Sequence, residues 1–491
     1  MNRAERKRTR QRTLALYAFV TVTLLAATAQ MLALSKFNFD EYFTISLVRN
    51  SWADIVRLTA LDVHPPLYYL AVKAAVTVFG ENLFTWHLVS FLSFLGMVFI
   101  TERFISRVFG EKEACFCVLA VCAVPNMLRY ALEARMYSMS MLFITASFYL
   151  VWLLSEHYES RPGKKTIRYW VFLALVNVAA AYTHYFAGVA AVGLSLFLLL
   201  FLLITRKDYV HTLLQWGAYC VAMALAYLPW MFVMIGQMRS IDGNYWIARI
   251  NLDTLYGYLD MLFGVQKPMY YGLVIAFFLG SFYLLMKKGK TGRDFWKWGS
   301  FFAAGFFLVF GVGYSVLRTP ILIDRYLVIV VPMLWISVVL SLLDKKEKWI
   351  EIGLLLLFCL CFISNRENLY REYDAVENGE ETRCLLENVE ESDIFFHVNV
   401  QRMVERMAFV PDVRHLLLEG SDAREAFHYW PEMTGCEKVA DAAEVITMAR
   451  EQGAVVWCED DACLEEFEAA GFSLEEYPAW SVVFYRLWYE E

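Results

Sequence analysis

Asp40-Glu41-Tyr42-Phe43 opens, and Asp62-Val63-His64-Pro65-Pro66-Leu67-Tyr68-Tyr69 closes, the stretch on which the reading of this chain turns. It follows the first long apolar run and sets Asp40, Glu41, Asp54, Asp62 and His64 among aromatics and two prolines. Acidic and imidazole groups at the edge of hydrocarbon are costly and are kept where they have a task. Pro65-Pro66 favours an extended backbone and holds His64 beside Asp62. The plain alternative is a rigid turn with a solvated histidine. For Asp40-Glu41 the plain alternative is an acidic pair capping the amphipathic stretch 42–61. A carboxylate held near hydrocarbon can have a raised pKa and serve as a base near neutrality. The closeness of Asp40 and Glu41 to the end of an apolar run therefore favours a catalytic reading.

Outward from that stretch, the 491 residues are 59% hydrophobic and only 19% charged. Apolar runs of about 20 residues alternate with short charged punctuation, the pattern of a polytopic helical membrane protein. The formal charge of -7 conceals an asymmetry: residues 366–491 carry 30 Asp and Glu against 10 Lys and Arg, whereas residues 1–365 carry 21 against 34. The break divides a membrane body, 1–365 with an external loop at 35–82, from an acidic soluble domain, 366–491. Basic residues are scattered through loops instead of forming a patch, which argues against a nucleic-acid partner.

Five Arg and one Lys precede the apolar run Thr13–Ser35. Ala27-Thr28-Ala29 fits a signal-peptide cleavage site, but the run continues through Met31–Leu34 and favours an uncleaved anchor. Further spanning segments are expected at 83–103, 113–128, 136–155, 168–184, 187–205, 212–236, 269–286, 298–317, 326–343 and 348–364. Pro66–Gly80 is short, begins with Pro-Pro and contains Lys73. If it does not cross, 23 of the 44 basic residues fall in short loops on the side of the N-terminus. That satisfies the positive-inside bias, giving 11 crossings by this count, a cytoplasmic N-terminus and an external C-terminal domain. Asp40–Tyr69, Asn126–Tyr137, Thr183–Phe186, Gln237–Lys267 and Arg318–Tyr326 then share the external face.

The tail alternates as a small α/β domain. Ile394–Val400, Ala454–Cys458 and Trp480–Leu487 read as strands, Val439–Glu451 and Ala462–Ala470 as amphipathic helices. A scaffold or acceptor-recognition role suits it better than catalysis. Six of the ten cysteines lie in apolar segments and read as packing residues. Cys384, Cys436, Cys458 and Cys463 allow three disulfide connectivities if external, and CxxC zinc spacing is absent.

The external loops carry the remaining chemistry. Glu133-Ala134-Arg135-Met136-Tyr137 offers donors suited to phosphate, against snorkelling at the interface. Tyr182-Thr183-His184-Tyr185-Phe186 places an imidazole between two membrane segments, where a hydrogen-bonded structural histidine is the ordinary outcome. Asp324-Arg325-Tyr326 opens another helix and reads otherwise as an ion pair within the loop. Asp242, Asn244, Tyr245, Trp246 and Arg249 suit a polar ligand but show no diagnostic spacing. Each signal is weak alone. Together they suit transfer of a sugar from a lipid phosphate, with the tail among helices and arginines on the anion. Because phosphate leaves readily, the acid that glycosidases use on a poor leaving group is not required.

With Phe39-Asp40-Glu41-Tyr42, Asp62-Val63-His64-Pro65-Pro66-Leu67-Tyr68-Tyr69, Phe79-Gly80-Glu81-Asn82-Leu83, Glu133-Ala134-Arg135-Met136-Tyr137-Ser138, Tyr182-Thr183-His184-Tyr185-Phe186 and Asp324-Arg325-Tyr326-Leu327, the chain resembles the GT-C integral-membrane glycosyltransferases, specifically the protein O-mannosyltransferase-like and lipid A aminoarabinose transferase-like group. The resemblance covers about residues 13–345. It implies an all-α polytopic membrane domain of about 11–13 transmembrane helices, followed by a small α/β domain. It also implies an inverting transferase that takes its sugar from a polyprenyl phosphate. Asp40 would be the catalytic carboxylate, with Glu41 beside it. His64, Arg135, Tyr137, His184, Arg325 and Tyr326 would line the phosphate and donor site. Some relatives hold a divalent metal ion, for which Asp62, His64 and His184 are the candidate ligands. The family commonly has Arg where this chain has His87, and the likeness leaves the acceptor open among protein, lipid and cell-envelope glycan. A transporter or flippase would show repeats and midplane charges. A non-catalytic partner of glycan assembly would carry its function in the tail.

Overall fold

The computed structural model describes residues 37–491 together with 18, 21 and 22, apart from 125, 158–163, 206–208, 243–246, 264–267, 289–295, 373–374, 422–428, 460, 480–481 and 491. The expected first helix, Thr13–Ser35, lies almost wholly outside the described residues, as do Asn244, Tyr245 and Trp246. The chain packs as two compact units: one of residues 1–30, 63–71 and 87–369, the other of residues 31–62, 72–86 and 370–491.

The first unit is a helical membrane body. Among the described residues six helices are long and apolar enough to cross a bilayer: Leu83–Val108, Tyr137–Glu156, Thr166–Thr183, Tyr185–Thr205, Tyr209–Ser240 and Trp298–Leu317. They coincide with six of the segments expected from hydropathy, because a run of about 20 apolar residues can satisfy its backbone in hydrocarbon only as a helix. Two expected segments are shorter as helices than they read. The first is Glu111–Ala123, which stops before Pro125 and is followed by the short Met127–Leu132 helix. The second begins with a 3-10 turn, Asp324–Ile329, and becomes α-helical at Val331–Leu343, with Pro332 in its first turn. Pro66, likewise, precedes the helix Leu67–Phe79 and accepts its first bond from the Leu70 N–H.

Close helix approach rests on small residues where lipid supplies no hydrophobic driving force. At Gly193, a Cβ would stand 3.0 Å from the Ala303 Cα, so the Tyr185–Thr205 and Trp298–Leu317 helices meet backbone to backbone. A buried polar node ties the Tyr185–Thr205 helix to two further helices: Asn177 donates to the Tyr219 hydroxyl at 2.7 Å, and Ser195 and Tyr219 hydroxyls lie 2.8 Å apart.

The second unit is built on a six-stranded sheet in the order β3-β2-β1-β4-β6-β5. Its strands are β1 (Ile394–His397), β2 (Arg414–Leu418), β3 (Glu437–Val439), β4 (Val456–Cys458), β5 (Phe472–Ala479) and β6 (Val482–Tyr489). β3, β2, β1 and β4 are parallel, and β6 and β5 close the sheet antiparallel. Successive side chains of β1 serve opposite faces, as the two-residue period requires. Ile394 and Phe396 join Val445, Ile446 and Phe467 in one core, while Phe395 joins Leu385, Trp457 and Phe484 in the other. Sequence periodicity located β1, β4, β6 and the helices Ala442–Gln452 and Leu464–Ala469, but not β2, β3 or β5. The helix Val400–Phe409, capped by Asn399 on the Gln401 and Arg402 N–H groups, takes over the end of the run read as the first strand.

Candidate functional site

Tyr182-Thr183-His184-Tyr185-Phe186 interrupts two spanning helices, and the break sets the state of the imidazole. The Phe186 N–H donates to His184 Nδ1 at 3.1 Å, so the ring proton belongs on Nε2. The side chain is only 3% exposed, and Nε2 has no hydrogen-bond partner among the described residues. Burial holds the imidazole well below its ordinary pKa, and the neighbouring His64, Arg135 and Arg325 push the same way. His184 is therefore a neutral N–H donor near pH 7.

Around it stand three of the residues read from the external loops. The His64 and Tyr137 rings each lie 6.0 Å from His184, and Tyr326 meets it edge-on at 4.7 Å. His64, His184 and Tyr326 also line a cavity of about 470 Å³. Its walls are otherwise largely apolar, among them Val178, Ala181, Val189, Met234, Phe306 and Phe310. On one wall Trp230 Nε1 donates to the Tyr185 hydroxyl at 3.0 Å, and that hydroxyl donates to Gln237. An apolar slot with a few convergent polar groups at one place is the form that a site for an amphiphilic ligand takes.

Arg135 is held from two sides. The helix Met127–Leu132 ends at extended Glu133, and the Arg135 N–H turns back to the Glu133 carbonyl at 2.7 Å. The Arg135 carbonyl accepts from Ser90 at 3.1 Å, and the Ser90 and Tyr68 hydroxyls are 2.8 Å apart. Its guanidinium donates to the Tyr69 hydroxyl at 3.1 Å. The Pro-Pro-Leu-Tyr-Tyr sequence thus contributes two buried tyrosines that fix the arginine, beyond the rigid His64 turn expected of it. Arg325 lies in the 3-10 turn, where Asp324 accepts from its N–H at 2.7 Å. Glu133, in the quoted Glu133-Ala134-Arg135 motif, is almost fully buried.

Asp40 and Glu41 belong to the second unit, in the first turn of the helix Phe39–Arg49. Glu41 closes a capping box: its carboxylate accepts from the Asn38 N–H at 2.8 Å, and the Asn38 side chain accepts from the Glu41 N–H at 3.0 Å. Such reciprocal bonding satisfies two helix-end donors. The Asp40 carbonyl accepts from the Thr44 hydroxyl at 3.2 Å. Asp62 caps the end of the helix Trp52–Leu61 and accepts from the Tyr429 hydroxyl at 3.0 Å. Among the described residues no group of three His, Cys, Asp or Glu side chains is placed to hold a metal ion. Among the described residues, Cys384 and Cys436 are free thiols.

No protein-family model and no curated protein sequence matches the chain. Solved structures do. ArnT from Cupriavidus metallidurans superimposes in its apo state with a TM-score of 0.63, at 14% identity over 96% of this chain and 98% of its own. ArnT bound to undecaprenyl phosphate gives the same score and identity over 96% and 97%. The archaeal oligosaccharyltransferase AglB from Archaeoglobus fulgidus, in complex with an inhibitory peptide and a dolichol-phosphate, reaches 0.48 at 9% identity over 95% and 74%. The fold is GT-C. The GT-C architecture expected from the quoted motifs is thus the architecture of this multi-pass membrane chain.

Proposed function

We propose that the protein is a membrane glycosyltransferase that moves a sugar from a polyprenyl-phosphate donor to an acceptor hydroxyl on the external face, with inversion. The observation that carries this reading is the neutral, unsatisfied His184 N–H on the wall of the apolar cavity, with Arg135 and Arg325 near enough to act on it electrostatically. An uncharged apolar ligand would leave that donor orphaned, at a cost of about 1–3 kcal/mol. A lipid bearing an anionic oxygen head satisfies it. The undecaprenyl phosphate bound by ArnT, a protein of the same fold, has that chemistry.

In the proposed reaction the isoprenoid tail occupies the cavity, and the two guanidiniums with the His184 N–H hold the phosphate. The Asp40 carboxylate takes the proton of the acceptor hydroxyl as its oxygen attacks the anomeric carbon. The bond from that carbon to the phosphate oxygen breaks on the opposite side, which inverts the centre. The electron pair leaves on the lipid phosphate, whose growing charge the arginines stabilise. Glu41 supports Asp40 by capping their shared helix.

The test is turnover of a panel of undecaprenyl-phosphate sugars by the full-length protein in lipid nanodiscs. Asp40→Asn should lower transfer by at least about 10³-fold, a large loss of the kind that removing a catalytic base brings, while still binding undecaprenyl phosphate. Transfer within tenfold of wild type by that variant removes the role assigned to Asp40.

A further inference from the structure

The acidic α/β domain grips the helix that carries Asp40. Within the second unit Trp430 packs against Phe39 at 5.6 Å and Phe43 at 5.7 Å, the residues one before and three after Asp40. Tyr42 meets Phe409 edge-on at 5.2 Å. Polar bonds pin the other end of the helix: Asn50 donates to the Met433 carbonyl at 2.8 Å and Arg49 to the Met407 carbonyl at 3.1 Å. The next helix is tied to the same place, with Arg57 paired to Glu432 at 2.8 Å and the Tyr429 hydroxyl bonded to Asp62. The segments 407–409 and 429–433 lie more than 350 residues along the chain from Asp40.

The geometry of a helix makes this grip specific. Phe39, Phe43 and Asn50 recur at a spacing that puts them on one face. Asp40 stands about 100° round from Phe39. Clamping that face fixes both the rotation of the helix and the direction in which the first turn presents its carboxylate. An 11-residue helix is marginal by itself, so a helix of this length takes its orientation from what it packs against.

We propose that the C-terminal α/β domain is the positioning platform of the Asp40 helix, with Trp430 as its principal positioning residue and Asn50 as the polar pin. This rests on the reading of Asp40 as the catalytic base. Trp430 touches neither donor nor acceptor in this proposal; it sets where the carboxylate stands, and a misplacement of about 1 Å can cost about 10²-fold in rate.

Hydrogen exchange and turnover, both on the full-length protein in nanodiscs, test it. In Trp430→Ala, amides 42–49 should exchange at least about tenfold faster, while those of β1 and β4 keep wild-type protection. Trp430→Phe should restore most of the difference. If Trp430→Ala disorders the sheet, Asn50→Ala breaks the clamp from the opposite side and should loosen the same amides. On the undecaprenyl-phosphate sugar that wild type turns over, kcat of the alanine variants should fall about tenfold or more with donor KM within twofold. Unchanged protection of amides 42–49 in both alanine variants overturns the platform, whatever happens to turnover. Loosened amides with undiminished kcat overturn the positioning role too. If Asp40→Asn transfers normally while the alanine variants lose kcat, the assignment of the base fails, and the platform positions another group.

Discussion

At the scale of single residues, His184 shows how a backbone bond decides a side chain's chemistry. With Nδ1 occupied by the Phe186 N–H, the ring offers one donor and no accessible acceptor. His184→Ala should weaken undecaprenyl phosphate binding about tenfold, the worth of one hydrogen bond to a charged group, measured by titration in nanodiscs. Because burial and the cationic neighbours hold its pKa well below 6.5, the difference between wild type and variant should show no imidazolium transition between pH 6 and 8. In the tail, His415 donates from Nε2 to the Val410 carbonyl and accepts at Nδ1 from His397 Nε2, each at 2.8 Å. Burial pushes His415 down to about 4, and burial, with His415 and Arg406 nearby, holds His397 well below its ordinary value. A histidine depressed in the folded state takes up its proton only on unfolding, so stability is full above about pH 6.5 and falls as the pH drops towards 4. The loss from His415 alone is on the order of 2–3 kcal/mol. Exchange of β1 and β2 amides at pH 7 and pH 5 should show protection falling at the lower pH; equal protection would remove the pair as the cause.

At the scale of elements, packing distances outweigh propensity. Gly193 has a helical backbone that any residue can adopt, yet a Cβ there meets the Ala303 backbone at 3.0 Å. Gly193→Val should therefore part the two helices at a cost of about 1–3 kcal/mol, seen as a lower unfolding temperature in detergent. The capping box predicts a smaller effect: Asn38→Ala should cost about 1 kcal/mol of local stability, read as faster exchange in the first turns of the Phe39–Arg49 helix. Asn38 and Glu41 carry the spacing of that motif, so this role of Glu41 was legible in the sequence. Among the strands, β2 is not legible in the sequence, because its buried centre, His415-Leu416-Leu417, lacks the alternation of a one-sided strand. A strand inside a parallel sheet is covered on both faces and need not alternate.

At the scale of the whole molecule, the cavity is a property of no single helix. Val178, Ala181, Val189, Met234 and Phe306 come from four helices and leave about 470 Å³ between them. Ala181→Trp should fill part of that space and weaken undecaprenyl phosphate binding at least tenfold while the protein elutes and unfolds as wild type. Undiminished binding by a folded Ala181→Trp would place the lipid elsewhere.

Hydropathy gives a polytopic helical membrane body, strand-helix alternation gives an α/β domain after it, and the resemblance carried by the order of short motifs implies the GT-C architecture. Apolar length and strand-helix alternation are local properties that the chain carries in linear form. The same resemblance implies His64, Arg135, Tyr137, His184, Arg325 and Tyr326 as members of one set. What tertiary structure alone decided was which atoms those residues present to one another. The His184 tautomer depends on a backbone N–H in a helix break, Arg135 is steadied by tyrosines more than 60 residues away, and the Asp40 helix is gripped by residues more than 350 positions later. Contacts of that range follow from how helices and sheet close upon one another, and hydropathy carries no record of that closure.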